Sequence, residues 1–350
     1  VALALSRHGV TVHLDDADPA AARTAEAMGA GSVGPPKEPV DLAVLAVPPA
    51  HIGTVLARSQ RSGLARAYTD VASVKARPQD QIRSAGGDLS SYVGGHPLAG
   101  SERSGPLAAR PDLFEGRTWV LTPSVRTDRA ALNCGLELVS LCGAVPMVMD
   151  SVRHDRAVAL TSHAPHLISA LVAARLAPAE EEHLRISGQG LRDVSRVAAG
   201  DPTLWGDILD ANADAVADVL EAFADDLGRA IDALRALRGT EGPASKQGAA
   251  FLDELLRLGN RGHARVPRKG GAGPAVYVPL PVVIPDQPGS LARLFAAVGE
   301  AGVNIEDLRI EHAVDQPRGL VELLVEESAA PGLRRVLRAD GWIMRDADIS

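Results

Sequence analysis

The spacing of apolar positions changes along the chain and divides it into three parts. Over residues 1–150, short apolar runs alternate with helical stripes. Residues 1–9 read as the last turns of a helix closed by Gly9 as a C-cap, and residues 10–14 as a strand ending in Asp15-Asp16. Asp18-Pro19 opens a helix over residues 20–28 that Gly29 stops. Residues 41–47 form a continuous apolar run, the pattern of a strand buried on both faces, which Pro48-Pro49 ends. Residues 67–71 read as a strand running into Ser73 and Lys75, and residues 91–93 as one running into His96. Strands over 119–123 and 145–149 flank a helix over 129–141. This alternation predicts an α/β fold with a parallel, doubly wound sheet.

After Asp150 the pattern is nearly all helical. Leu204, Ile208, Ala215, Val219, Phe223, Leu227, Ile231 and Leu234 recur every three or four residues, opposite an acidic face. A stripe running as far as Arg238 predicts one long helix packed against a second subunit. A shorter helix over 249–258 leads into a linker at 265–274 rich in Gly, Pro and Arg. The remainder spells β-α-β-β-α-β. It has strands over 276–284, 303–312, 319–326 and 342–345, and helices over 291–298 and 331–338, the order of a ferredoxin-like fold. The predicted domains are therefore 1–150, 151–272 and 276–350.

Composition removes some function classes. A net charge of −8 argues against nucleic acid as the main partner. No apolar run approaches the length of a membrane helix, and the start lacks a signal-peptide layout. Cys134 and Cys142 stand two turns apart in one predicted helix, too far to pair, so a reduced cytoplasm is the simplest setting.

The stretch Gly94-Gly95-His96-Pro97-Leu98-Ala99-Gly100-Ser101-Glu102 carries the main chemical signal. A histidine before proline is held extended, and flanking glycines allow close backbone approach to a neighbour or ligand. At the carboxyl end of a strand, His96 would face the binding crevice as a proton acceptor. The alternative is a Gly-Pro turn with a surface histidine. Asp15 or Asp16 ends the second strand of such a sheet, where a carboxylate holds adenosine ribose hydroxyls and repels the extra phosphate of NADP. The alternative is a turn aspartate before a helix. The strand and Gly-rich turn that normally precede these elements are expected ahead of Val1. His163 and His166, three apart, could bind a metal, yet no Cys, Asp or Glu joins them at a ligand spacing. With His154, they read as contacts to a small anion or as core histidines. Arg192 and Arg196 lie one helical turn apart, suited to gripping a carboxylate or to a solvated face.

In their order and spacing, Thr69-Asp70-Val71-Ala72-Ser73-Val74-Lys75, Gly95 to Glu102, Ser162-His163-Ala164-Pro165-His166, and Leu191 to Arg196 followed by Asp201-Pro202-Thr203-Leu204-Trp205 resemble prephenate dehydrogenases. Asp286-Gln287-Pro288-Gly289-Ser290-Leu291 through Gly302-Val303-Asn304-Ile305 resembles a C-terminal ACT domain. The resemblance implies oxidative decarboxylation of prephenate to 4-hydroxyphenylpyruvate, with NAD taking the hydride, in a homodimer of the tyrosine pathway. It implies that His96 accepts the hydroxyl proton and that Ser73 orients the hydroxyl and nicotinamide. Arg196 would hold a substrate carboxylate, with Arg192, His154, His163, His166 and Glu102 lining the site. Asp16, Pro48 and Asp70 would contact the cofactor, with no metal. The ACT segment would bind a regulatory aromatic amino acid, tyrosine first. Two other readings are arogenate dehydrogenase and an inactive amino-acid sensor. The joint presence of His96, Ser73 and Arg196 argues against the sensor.

Overall fold

The computed structural model describes residues 1–99, 105–238, 242–266, 277–312 and 318–345. The chain forms two compact units, Val1–Arg229 and Ala230–Ser350.

The first unit begins with α1 (Ala2–Ser6), β1 (His13–Leu14), α2 (Pro19–Ala27) and β2 (Ser32–Val33). Asp18 caps α2 by accepting the Ala20 N–H, with Pro19 at the first helical position. The predicted strand over 10–14 shrinks to the two residues of β1, which pair in parallel with β2. Gly31 permits this contact, because a Cβ there would sit 2.5 Å from the Val12 carbonyl oxygen. The main sheet follows with β3 (Val40–Leu45), α3 (Ile52–Arg61), β4 (Ala65–Asp70), α4 (Ala76–Ser84), β5 (Tyr92–Pro97), β6 (Thr118–Thr122), α5 (Arg129–Leu141) and β7 (Val145–Val148). Strand order is β3-β4-β5-β6-β7.

The sheet is mixed rather than all parallel, since β5 and β6 run antiparallel. A parallel return needs a crossover, usually a helix. The described part of the β5–β6 connection holds only a single helical turn at Pro106–Ala108. Ile52, Leu56, Tyr68, Ile82 and Tyr92 pack in one core cluster, and Val93, Trp119, Leu121, Leu138 and Val139 in another. Each such side chain contributes about 1.5–3 kcal/mol on full burial.

Continuing in the same unit are α6 (Ser151–Val158), α7 (Ala164–Ala174), α8 (Glu181–Arg185), α9 (Gln189–Val197) and α10 (Pro202–Ala211), and α11 (Ala213–Ala236) begins in it and ends in the second unit. A π-helical turn, Ala159–His163, joins α6 to α7. Pro165 explains it, having no N–H to continue the α-helical ladder. The resulting run Ser151–Ala174 is long and apolar enough to cross a membrane by length and composition, contrary to the sequence expectation. It nevertheless buries His154, Asp155, His163, His166 and Ser169, the side chains of a core helix. The single long helix expected through Leu204 and Leu234 is broken at Asn212, whose φ of −130° and ψ of 29° leave the helical region. The side chain of Asn212 is bonded into the site described below, and those bonds outweigh helix continuation.

In the second unit, α12 (Pro243–Ala264) is longer than the predicted helix, and most of the predicted linker lies outside the described residues. Then come β8 (Tyr277–Pro285), α13 (Ser290–Glu300), β9 (Asp307–His312), β10 (Arg318–Glu326), α14 (Ala330–Ala339) and β11 (Ile343–Met344). The antiparallel order β11-β8-β10-β9 gives the expected βαββαβ arrangement. Leu280, Val282, Ile284, Leu294, Val321, Leu323 and Leu337 form its core.

Candidate active site

His96 sits at the end of β5, where the extended geometry before Pro97 places it. The glycines ahead of it are required by neighbouring strands. A Cβ on Gly94 would lie 2.4 Å from Thr122 Oγ1, and one on Gly95 2.5 Å from the Asp70 carbonyl oxygen. His96 Nδ1 lies 2.8 Å from His154 Nε2, and His154 Nδ1 lies 2.7 Å from Asp155 Oδ1. His154 is 1% exposed and Asp155 5%.

These contacts take one direction when His154 carries a single ring proton. A carboxylate only accepts, so His154 Nδ1 carries a proton and donates it to Asp155. In neutral His154, Nε2 is then an acceptor and takes the proton of His96 Nδ1. His96 Nε2 is left as the free basic nitrogen. Asp155 is itself fixed by the start of α4. Its two oxygens accept the Lys75 and Ala76 N–H groups, each at 2.8 Å. The positive end of that helix favours an anion here.

Behind His96 lies a buried ion pair. Lys75 and Asp70 are both 0% exposed, and the Lys75 ammonium donates to Asp70 and to the Gly95 carbonyl, the latter at 2.6 Å. Asp70 also accepts the Tyr92 hydroxyl and, at 2.8 Å, the Ala72 N–H. Burial pulls the Lys75 ammonium below its ordinary pKa against the opposing pull of Asp70. Burial, then the charge of Asp70, pushes the Tyr92 phenol well up. Burial, then Lys75, His154 and His163, holds His96 well below its ordinary value, so it is a neutral imidazole at neutral pH.

The remaining histidines line the next turns. Asn212 Nδ2 donates to the Asp155 carbonyl at 2.8 Å and stands 3.1 Å from His163 Nδ1. Burial brings the His163 pKa down to about 4. His166 stacks on Trp205 with ring centroids 3.5 Å apart, and His163 meets the same indole edge-on. Gly200 makes room, since a Cβ there would lie 2.3 Å from Trp205 Nε1. On α7, Ser169 Oγ donates to the Val194 carbonyl of α9 at 2.5 Å. Arg192 and Arg196 on α9 are exposed, and among the described residues neither pairs with a carboxylate.

Residues 1–148 match the family model described as the prephenate dehydrogenase nucleotide-binding domain, and residues 150–242 the prephenate dehydrogenase dimerization domain. A probable prephenate dehydrogenase, NovF, of Streptomyces niveus is 42% identical over 98% of this chain and 95% of its own length. The chain belongs to the prephenate dehydrogenase family. The prephenate dehydrogenase of Bacillus subtilis is 29% identical over 73% of this chain and 67% of its own. The structure of the Aquifex aeolicus prephenate dehydrogenase with hydroxyphenyl propionate and NAD+ superposes with a TM-score of 0.63. It is 26% identical and covers 74% of this chain and 92% of that one. Membership makes this chain an NAD-dependent oxidoreductase.

Among the residues expected to form a prephenate dehydrogenase site, His96 and His154 are in direct contact, and His163 joins them through Asn212. His166 is held on Trp205 beside His163. Ser73 is half-buried in the loop between β4 and α4, and Glu102 lies outside the described residues. Pro48 is exposed at the end of β3. Asp16 is exposed after β1, with one carboxylate oxygen accepting the Asp18 N–H at 2.8 Å. Asp70, expected beside the cofactor, is instead fully buried and saturated by Lys75, Tyr92 and Ala72. It belongs to the support behind His96. Sequence reasoning assigned no role to Lys75, Tyr92, Asp155 or Asn212. A lysine embedded in the apolar stretch after a strand was the available signal, because lysine is almost never fully buried unless paired.

Proposed function

We propose that His96 Nε2 is the base of a prephenate dehydrogenase reaction, and the observation that carries this is the hydrogen-bonded chain from His96 through His154 to Asp155. The chain oxidatively decarboxylates prephenate to 4-hydroxyphenylpyruvate. As the ring hydroxyl carbon is oxidised, its proton passes to His96 Nε2. The imidazolium that forms donates from Nδ1 to His154, which donates onward to the Asp155 carboxylate. Loss of carbon dioxide is driven by aromatisation of the ring, so the remaining residues need only hold and orient. Arg196 and Arg192, one turn apart and paired with no carboxylate among the described residues, grip substrate carboxylates, and His163 and His166 line the space. Ser73 orients the hydroxyl.

Bound NAD supplies the hydride acceptor. The exposed Asp16 suits its adenosine ribose, because only one carboxylate oxygen is used in its own turn and the other accepts hydroxyls while repelling a phosphate. Pro48 would flank the same groove at the end of β3. His96→Asn tests the base. Turnover should fall about 100- to 10,000-fold with prephenate binding retained, and a variant keeping more than half the parental rate overturns the assignment.

The pathway reading is tyrosine biosynthesis in the cytoplasm, which the free thiols of Cys134 and Cys142 suit. A homodimer is supported by the partly exposed stripe of Phe223, Leu227, Ile231 and Leu234. The βαββαβ segment reads as an ACT domain that binds tyrosine or a related amino acid. A cavity of about 430 Å3 beside the end of β8 holds Arg293, Arg318, Asp340 and Trp342, groups suited to a carboxylate, an ammonium and an aromatic ring. Inhibition by tyrosine that survives Arg293→Ala with Arg318→Ala, and stays competitive with prephenate, would place tyrosine in the active site instead. Lost inhibition with unchanged turnover supports the regulatory reading.

A further inference from the structure

The role of His96 as base leaves a fully buried charge, Lys75, without a task. Its ammonium is inaccessible, so it touches neither substrate nor cofactor. Its bonds nevertheless converge on the base from two sides. Through its side chain it holds the carbonyl of Gly95, the residue joined to His96, at 2.6 Å. Through its main-chain N–H it holds Asp155 at 2.8 Å, and Asp155 holds His154, which holds His96. Asp70 and Tyr92 complete the unit by fixing the ammonium between β4 and β5.

Burying a lysine is costly, and an apolar side chain would fill the same space without that cost. The cost is explained if the ammonium does something an apolar group cannot. We infer that Lys75 is a positioning residue for the proton acceptor, setting the register of His96 against the His154–Asp155 pair and placing a fixed positive charge behind the imidazole. This inference rests on His96 being the base.

The groups facing His96 are Lys75 from the loop before α4, His154 from α6 and His163 from the π turn, with Asp70 on β4 and Asp155 on α6 behind them. Lys75, His154 and His163 all oppose protonation of His96. Removing the ammonium therefore raises the pKa of the imidazolium, and the acidic limb of the pH profile moves to higher pH.

The experiment is kcat and KM against pH, with NAD and prephenate, for Lys75→Met and for Lys75→Met combined with Asp70→Asn. The double variant removes both buried charges and keeps the measurement available if Lys75→Met alone strands Asp70 and fails to fold. Folded Lys75→Met is expected to lose at least about tenfold in kcat, with KM within about twofold and the acidic limb raised by about half a pH unit or more; the double variant, which removes both members of the ion pair, is expected to show the same loss of kcat with a smaller rise of the limb. Folded Lys75→Met with an unmoved limb, whatever its rate, reduces Lys75 to a packing residue and overturns the inference, as does, where only the double variant folds, a kcat within about twofold of the parent. Failure of the underlying assignment is read separately, because it shows as an active His96→Asn enzyme.

Discussion

Asp155→Asn is the sharpest test of the hydrogen-bond direction on which the proposed role of His96 as a base depends. The parental carboxylate accepts three N–H groups, from Lys75, Ala76 and His154. A carboxamide offers one oxygen. If that oxygen faces Lys75 and His154, the amide N–H2 opposes the Ala76 N–H, and the tautomer survives without its charge. Replacing a charged hydrogen bond by a neutral one then removes about 1.5–3 kcal/mol from stabilisation of the imidazolium, a loss of about 10- to 150-fold in kcat. If the amide flips to satisfy Ala76, its N–H2 donates to His154 Nδ1. His154 must then protonate Nε2, and His96 is left with its proton on Nε2 and no basic atom facing substrate. The comparable change in a Ser-His-Asp triad costs about 10,000-fold. Either arrangement leaves one main-chain N–H unsatisfied, costing about 1–3 kcal/mol of stability. The assay is NADH formation under saturating prephenate and NAD, with thermal unfolding in parallel. A folded Asp155→Asn enzyme within about threefold of the parental kcat would refute the directed chain.

Other outcomes follow from the same geometry. Arg196→Ala should raise the KM for prephenate by about 10- to 150-fold with little change in kcat, measured by initial rates, because the side chain is exposed and pairs with no carboxylate among the described residues. His163 has its pKa lowered from 6.5 to about 4 by burial, so the folded state binds fewer protons than the unfolded one between those values. Its contribution to stability is complete above pH 6.5, is lost as pH falls towards 4, and changes by at most about 1.4 kcal/mol per pH unit. Urea unfolding at several pH values should therefore show a shallower acid dependence in His163→Asn than in the parent.

Much of the fold was legible because helices and buried strands announce themselves through local period. Strand direction does not. The antiparallel β5–β6 pair depends on a connection whose described part holds no crossover helix, and nothing inside either strand encodes it. The break at Asn212 was hidden for a related reason. The apolar stripe continues through it, and only the distant carbonyl of Asp155 and ring of His163 reward leaving the helix. In the site, His96 was readable from its proline and glycines, whose constraints are local. Asp155 was not, because its partners at Lys75 and Ala76 are far away in sequence and meet it only when α6 docks on α4.

The low basicity of His96 poses an apparent difficulty for its proposed role, since a buried imidazole beside Lys75 is a poor proton acceptor. The chemistry resolves it. Aromatisation and loss of carbon dioxide supply the driving force, so the acceptor needs to be unprotonated and well placed more than it needs to be strong. An imidazole held below its ordinary pKa is available at any neutral pH, and for the same reason it readily gives up the proton it has taken. In that proposed role His154 and Asp155 would reconcile the two demands, offering a hydrogen-bonded path for the charge while it exists and fixing the free nitrogen when it does not. A more basic histidine at this position would spend part of each cycle protonated and idle.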